Sequence, residues 1–279
     1  MFFDRDSFNG VAIMEEKLVV KSNALIQAAY SLTVSEQKII LSAITQVRRN
    51  EAVTDERLYT VTANALSDMS GFKAKNEYTT LKEAAEKLWN RTLIIHEKSI
   101  NEGSNTTKTR KMRWVQEAIY LDGEGAVQLR FSKPILPYLK ALSGEYSKYR
   151  LEHVANMTSR YGIRLYELLI QWRSKGEREI EITWLRSVWE LETKYKAIKD
   201  FKKYVIEPAI ADVNDHSDLW VKQGQRKTGR RVTHLQFQFG PKEDKKAVKR
   251  LTMAQIEAAA KPGETYEQVK DRLSRSSDG

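Results

Sequence analysis

The chain has 279 residues and no cysteine, and its 47 Lys and Arg against 37 Asp and Glu give a formal charge of +10. Hydrophobic residues make up 41% and charged residues 30%, which fits a globular protein rather than a disordered chain. The missing thiols exclude disulfides and thiolate metal sites, no run is apolar enough to span a bilayer, and the opening MFFDRDSFNG lacks the basic start and apolar run of a secretory leader.

Taken from the N-terminus, Thr33–Val47 is expected to be a helix opened by the capping box Thr33-x-x-Glu36. The leucine-like heptad Leu18, Leu25, Leu32, Ile39 suggests a zipper. However, the capping box starts a new helix inside it and Val19-Val20 favours extended backbone, so core packing is the expected use. Leu58–Val61 reads as a short strand, Thr62–Met69 as a short helix, and Glu77–Asn90 as a second helix after a break at Gly71. In that second helix Leu81, Ala85, Leu88 and Trp89 form the apolar face. Strands are expected at Thr92–Glu97, Met112–Leu121 and Ala126–Phe131, the last closing the sheet. Residues from Pro134 to about Asn156 form a partly helical connection.

Tyr161–Arg173 then carries Leu165, Leu168, Leu169 and Trp172 on one helical face. Glu179–Ile182 reads as a strand, Thr183–Leu191 as a short helix and Lys194–Asp215 as a longer one. Strand Leu219–Val221, a basic loop over Lys222–Arg231 and strand Val232–Phe239 follow. The C-terminal half thus runs helix, strand, helix, helix, strand, loop, strand, the order of a winged helix, and the N-terminal half repeats it with a further strand closing the sheet. The expected fold class is α+β: two tandem winged-helix domains with a short C-terminal tail. The N-terminal domain takes residues 1–137, the C-terminal domain 138–240, and a polar, partly disordered tail 241–279.

A net positive charge favours a polyanionic partner, and its placement says more than its total. Five cations fall within Lys222–Arg231 and four within Lys108–Arg113, with no acid in either run. On the helix from Lys194, the residues Ile198, Phe201, Val205 and Ala209 face the core. Lys196, Lys199 and Lys203 project from the other side, flanked by Asp200 and Lys202. Beyond Tyr204 the helix is apolar nearly all round, so base reading is confined to its first half. Lysine can donate to guanine and Asp200 can accept from cytosine. Five lysines against one acid between Lys194 and Lys203 argue against a merely solvated face with paired charges. The expected phosphate grip in the wing comes from Lys222, Arg226, Lys227, Arg230 and Arg231. In the N-terminal domain, Lys73, Lys75, Asn76 and Thr79, with Lys108, Arg110, Lys111 and Arg113, are expected to make a weaker, mainly phosphate-directed contact.

Three segments carry a family resemblance: LVVKSNALIQAAYSLTVSEQKIIL (Leu18–Leu41), SRYGIRLYELL (Ser159–Leu169) and YKAIKDFKKYVIEPAIADVN (Tyr195–Asn214). In this order the chain resembles the iteron-type plasmid replication initiators from about Leu18 to Phe239. The resemblance implies two winged-helix domains that bind direct repeats of a plasmid origin, promote origin opening and recruit host proteins. It places Asp200 and Lys203 on matching positions of the reading helix. It also implies a homodimer in equilibrium with monomer, dimerisation through the N-terminal domain, repression at the protein's own operator, and contacts with a host initiator, helicase and chaperones. The implied location is the bacterial cytoplasm, on plasmid double-stranded DNA and not at a membrane.

No catalytic activity and no cofactor or metal are expected. The chain has no G-x-x-x-x-G-K-[ST] phosphate loop, and His96, His153, His216 and His234 are isolated, without the His-x-His pair of a rolling-circle nicking enzyme. Tyr161 and Tyr166 read as packing residues, and Asp212, Asp215 and Asp218 as a helix end and turn. The alternatives are a winged-helix transcriptional repressor and, disfavoured, a nicking replication enzyme.

Overall fold

The structure is a computed structural model that describes residues 17–48, 54–69, 77–98, 107–139, 145–242 and Val269. The chain divides into two compact units, Met1–Gly240 and Pro241–Gly279. In the second, Pro241, Lys242 and Val269 are described, and the expected disorder of the tail lies outside the described residues.

The first unit begins with β1 (Leu18–Ser22), the one-turn helix α1 (Asn23–Ile26) and α2 (Val34–Thr45). The capping box forms: Glu36 N–H donates to Thr33 Oγ1 at 3.3 Å and Glu36 Oε2 accepts from Thr33 N–H at 2.7 Å. Two otherwise orphaned amide donors are thereby satisfied. Arg91 then seats on the buried Glu36 carboxylate at 3.1 Å. Leu25, Leu32 and Ile39 are all core residues, but they sit in a helical turn, a loop and α2 rather than along one zipper helix.

Next come β2 (Tyr59–Thr62), α3 (Ala63–Asp68, capped by Thr62), α4 (Glu77–Trp89) and β3 (Thr92–Lys98). The expected strand Met112–Leu121 is broken at Trp114 into β4 (Thr107–Arg113) and β5 (Val115–Leu121). Trp114 is fully buried, edge-on to Tyr30 at 5.0 Å. Driving that ring inward turns the chain, so β3 and β4 make a hairpin separate from the sheet β2-β6-β5, which β6 (Ala126–Phe131) joins at its centre. Along α4, Leu81, Ala84, Ala85 and Leu88 are buried, whereas Trp89 is exposed. It is the last helical residue, and Arg113 lies 5.7 Å above its ring.

The connection holds α5 (Leu136–Leu139), β7 (Tyr146–Arg150) and α6 (Glu152–Ala155). β7 pairs antiparallel with β1, Leu18 opposite Arg150 and Ser22 opposite Tyr146. This pairing crosses the expected division at 137/138. Lys21 of β1 is buried against Glu167 of α7 (Arg160–Ile170), with Nζ–O distances of 2.8 and 2.9 Å. Arg164 of α7 donates to Ala28 O at 2.8 Å. One hydrophobic core accordingly runs from Val19 to Phe239.

Helix α7 is buried along nearly its whole length, and Trp172, past its end, is exposed rather than part of its apolar face. At Gly162 an added Cβ would lie 2.5 Å from Asp212 Oδ2. Asp212 is buried there because it accepts from the Thr158 and Ser159 amides at 3.1 and 2.9 Å at the start of α7. The chain continues with β8 (Glu177–Glu181) and α8 (Ile182–Val188), then α9 (Ile198–Phe201), a π-helical turn (Lys202–Ile206) and α10 (Glu207–His216). β9 (Leu219–Thr228) and β10 (Arg231–Pro241) close a sheet of order β8-β10-β9.

Candidate nucleic-acid interface

The helical run Ile198–His216 presents two faces. Phe201, Val205 and Ala209 are fully buried and Ile198 is half-buried, as the apolar spacing requires, while Lys199, Asp200 and Lys203 are exposed. Lys202 is half-buried and donates to Gln225 Oε1 of β9 at 3.2 Å, which ties the helix to the hairpin. In the middle of the run, Glu207 N–H reaches back to Lys202 O, a five-residue step. This wider turn lies just before Pro208, which has no N–H to give to Tyr204 O and whose ring crowds that carbonyl. Single π turns of this kind recur at functional sites. The later half is less covered than its composition suggests: Ile206 and Val213 are buried, but Glu207, Pro208 and Ala211 are exposed.

The helix starts at Ile198, not at Lys194, so Lys196 lies outside it. Tyr195 adopts a left-handed conformation (φ 49°) and Ala197 an extended one, and both break a helix. The Arg186 guanidinium, on α8, takes up the carbonyls of Lys194 at 2.8 Å, Tyr195 at 2.6 Å and Lys196 at 3.5 Å. Lys196 remains exposed on the turn leading into the helix. Tyr195 stacks on the exposed Tyr204 at 6.1 Å, and Lys203 Nζ lies 5.2 Å above the Tyr204 ring.

The expected basic loop Lys222–Arg231 is mostly hairpin strand, with its tip at Gly229 (φ 60°), a conformation that suits glycine. The apolar alternation ends at Val221, yet β9 runs on through polar residues to Thr228. The cations are not equivalent. Arg226 is engaged by Glu179 of β8 at 2.7 to 2.9 Å, so it is not a free phosphate donor. Lys222 lies on the strand, 5.8 Å above the exposed Trp220. Lys227, Arg230 and Arg231 are exposed around the tip, and none of them is in an ion pair among the described residues.

In the N-terminal half, Lys73, Lys75 and Asn76 lie outside the described residues. Thr79 is exposed near the start of α4, about 15 Å along the helix axis from Trp89 and Arg113 at its far end. The four cations of β4 do not form one patch, because strand side chains alternate. Arg110 shares a face with the buried Met112 and is held by Glu97 at 3.4 Å. Glu97 also accepts from Tyr138, and that bond, with the help of Arg110, holds its carboxyl below the usual range. Lys111 and Arg113 project from the other face, and Lys108 is exposed near the hairpin end.

The isolated histidines and tyrosines make local contacts. His153 Nδ1 lies 3.0 Å from Tyr166 Oη, and the buried Tyr166 donates to Asp218 at 2.9 Å. Tyr161 packs on Trp189 at 5.3 Å, and His216 sits 3.1 Å from Asp212. No group of three or more His, Cys, Asp or Glu side chains could hold a metal among the described residues. No helix among them is long and apolar enough to cross a membrane. Sequence reasoning missed Arg186 and Glu179. Neither has a local motif: Glu179 meets Arg226 from a separate strand, and Arg186 binds backbone carbonyls across a turn whose shape the residue types do not announce.

Residues 18–170 match the family described as Initiator Replication protein, WH1, and residues 181–239 match Initiator Rep protein, WH2. The chain therefore belongs to the initiator replication protein family and consists of two tandem winged-helix domains with mixed helix and strand. It is 28% identical over 232 residues to a replication initiation protein of Escherichia coli, covering 81% of this chain and 70% of the relative. It is 21% identical over 250 residues to the PI protein of Escherichia coli, covering 80% and 82%. The crystal structure of Pi initiator protein in complex with iteron DNA superposes with a TM-score of 0.68 at 20% identity. That match covers 82% of this chain and 99% of the other, a likeness of fold.

Proposed function

We propose that this protein initiates plasmid replication by binding direct repeats in the origin as sequence-specific double-stranded DNA. The observation that carries this reading is the exposed Lys199, Asp200 and Lys203 face of the helix, which Lys202 ties through Gln225 to the hairpin whose tip bears the exposed Lys227, Arg230 and Arg231. A helix face that reads bases beside cations that grip phosphate is the division of labour such a site needs. The complex of the Pi initiator with iteron DNA supports the choice of repeat DNA as ligand.

The domain at 138–240 makes the base contacts. The domain at 1–137 contributes phosphate contact through Thr79, Lys108, Lys111 and Arg113, with Lys73, Lys75 and Asn76, and supplies the dimer interface. The tail, 241–279, carries no assigned role. Binding several adjacent repeats supplies the free energy that deforms and opens nearby DNA without nucleotide hydrolysis. The opened origin is handed to a host initiator and helicase, with chaperones acting on the monomer–dimer balance, and a dimer represses the protein's own operator. The work is noncovalent and takes place in the bacterial cytoplasm on plasmid DNA.

The test is selection of bound duplexes from random-sequence DNA, compared with the DNA flanking the gene. The selected sequence is expected to recur there as tandem repeats about two helical turns long. Recovery of no preferred sequence sinks the reading.

A further inference from the structure

The segment that leads into the reading helix is built in an unusual way. In a helix beginning at Lys194, the carbonyls of Lys194, Tyr195 and Lys196 would accept amides four residues on. Here the first such bond runs from Phe201 N–H to Ala197 O at 3.0 Å. The three carbonyls before it are turned to one side chain, Arg186, whose Nη1 donates to Lys194 O and whose Nη2 donates to Tyr195 O, with Lys196 O at the outer limit. The same guanidinium lies 4.2 Å above the ring of Phe201, which is fully buried in the first turn of the helix. A single cation thus fixes both the backbone that approaches the helix and the aromatic anchor inside it.

No acid is paired with Arg186 among the described residues, and two of the residues whose carbonyls it holds, Lys194 and Lys196, are themselves cations. Its donors are spent on backbone, and charge-assisted bonds to carbonyls are directional. Only a planar fork spans acceptors on successive residues; an ammonium is a point donor.

We propose that Arg186 is a positioning residue for base reading: by holding the carbonyls of residues 194–196 it sets where the helix starts and so which side chains, Lys199, Asp200 and Lys203, face the duplex. This inference rests on the DNA-reading role proposed above. Arg186 touches no base. Loss of the clamp lets the turn around Tyr195 relax and the first helical turn fray, which blurs discrimination while the phosphate-gripping cations stay in place.

The experiment uses the full chain as wild type, Arg186→Lys and Arg186→Gln. Binding is measured over a range of salt to a duplex carrying the sequence selected by the wild type and to a scrambled duplex, with active fractions fixed by stoichiometric titration. Amide hydrogen exchange is followed on the free proteins. The expected result is a cognate-to-scrambled ratio reduced about tenfold in both variants, the scale of one lost base discrimination. Scrambled-duplex affinity and salt slope are retained in Arg186→Lys, and exchange accelerates over residues 199–205. An unchanged ratio with a smaller active fraction would show a purely structural role and overturn the proposal. Equal weakening on both duplexes with a shallower salt slope would make Arg186 a phosphate contact and overturn it as well. A wild type that binds both duplexes equally sinks the DNA-reading function itself. The exchange data then still decide the clamp, since unchanged protection in both variants overturns it.

Discussion

Arg226 Nε donates to both carboxylate oxygens of Glu179 at 2.9 Å, and Gln236 adds a further donor at 3.0 Å. The Arg226 bonds, joined by that of Gln236, hold the Glu179 carboxyl below the usual range. The pair fastens β9 to β8 across β10, so a cation that sequence assigns to the phosphate grip is engaged within the sheet. Arg226→Ala is therefore expected to leave the salt dependence of DNA binding nearly unchanged. Arg230→Ala with Arg231→Ala is expected to weaken binding to all sequences and flatten the slope of log K against log salt by at most about two units. Equal slopes for the two variants would contradict the assignment.

Lys21 and Glu167 are both almost wholly buried, and Tyr149 Oη donates to the same carboxylate at 2.6 Å. Removing one partner strands the other charge, so Lys21→Met is expected to cost about 3–5 kcal/mol in urea unfolding. Lys21→Met combined with Glu167→Gln is expected to recover much of that loss. Additive losses would mean that the ion pair does not couple β1 to α7.

Gly162 packs where a Cβ would meet Asp212. Gly162→Ala must displace the carboxylate that caps the start of α7, at an expected cost of about 1–3 kcal/mol. A variant with an unchanged unfolding midpoint would show that Asp212 shifts freely.

Burial pushes His153 below its ordinary value of 6.5, outweighing the pull of Asp218 and Glu152 in the other direction. The unfolded chain takes up this proton near pH 6.5 and the folded chain only at lower pH. The stability contributed by neutral His153 is thus complete above 6.5 and is lost as pH falls through the depressed folded value. The difference in unfolding free energy between wild type and His153→Asn is expected to shrink from pH 7 to pH 5. A pH-independent difference would contradict this placement.

What the sequence makes legible is what neighbours in the chain decide. The capping box at Thr33 and Glu36, the buried stripe of Phe201, Val205 and Ala209, and the order of elements in each winged helix all follow from local spacing. The pairing of β1 with β7 does not, because it joins residues more than a hundred positions apart. Periodicity alone starts the helix at Lys194, whereas the structure starts it at Ile198, because a side chain on another helix competes for the carbonyls of residues 194–196. Counting charge gives Lys108–Arg113 four cations without an acid but not the faces on which they lie. Met112 within it was the available sign of strand alternation, which sends Arg110 inward toward Glu97 and Lys111 outward. Trp114 gives no such sign, because its burial depends on Tyr30, a residue far away in the chain.

The most direct test of sequence-specific reading is the ratio of affinities for the selected repeat and a scrambled duplex in wild type and Lys203→Ala. Lys203 is exposed on the helix face that also bears the exposed Asp200, the face proposed to read bases. The wild type is expected to show a clear preference that falls about tenfold in the variant, with binding to scrambled DNA changed far less. An unchanged ratio, or equal loss on both duplexes, would contradict the assignment of this helix as the part that reads the sequence.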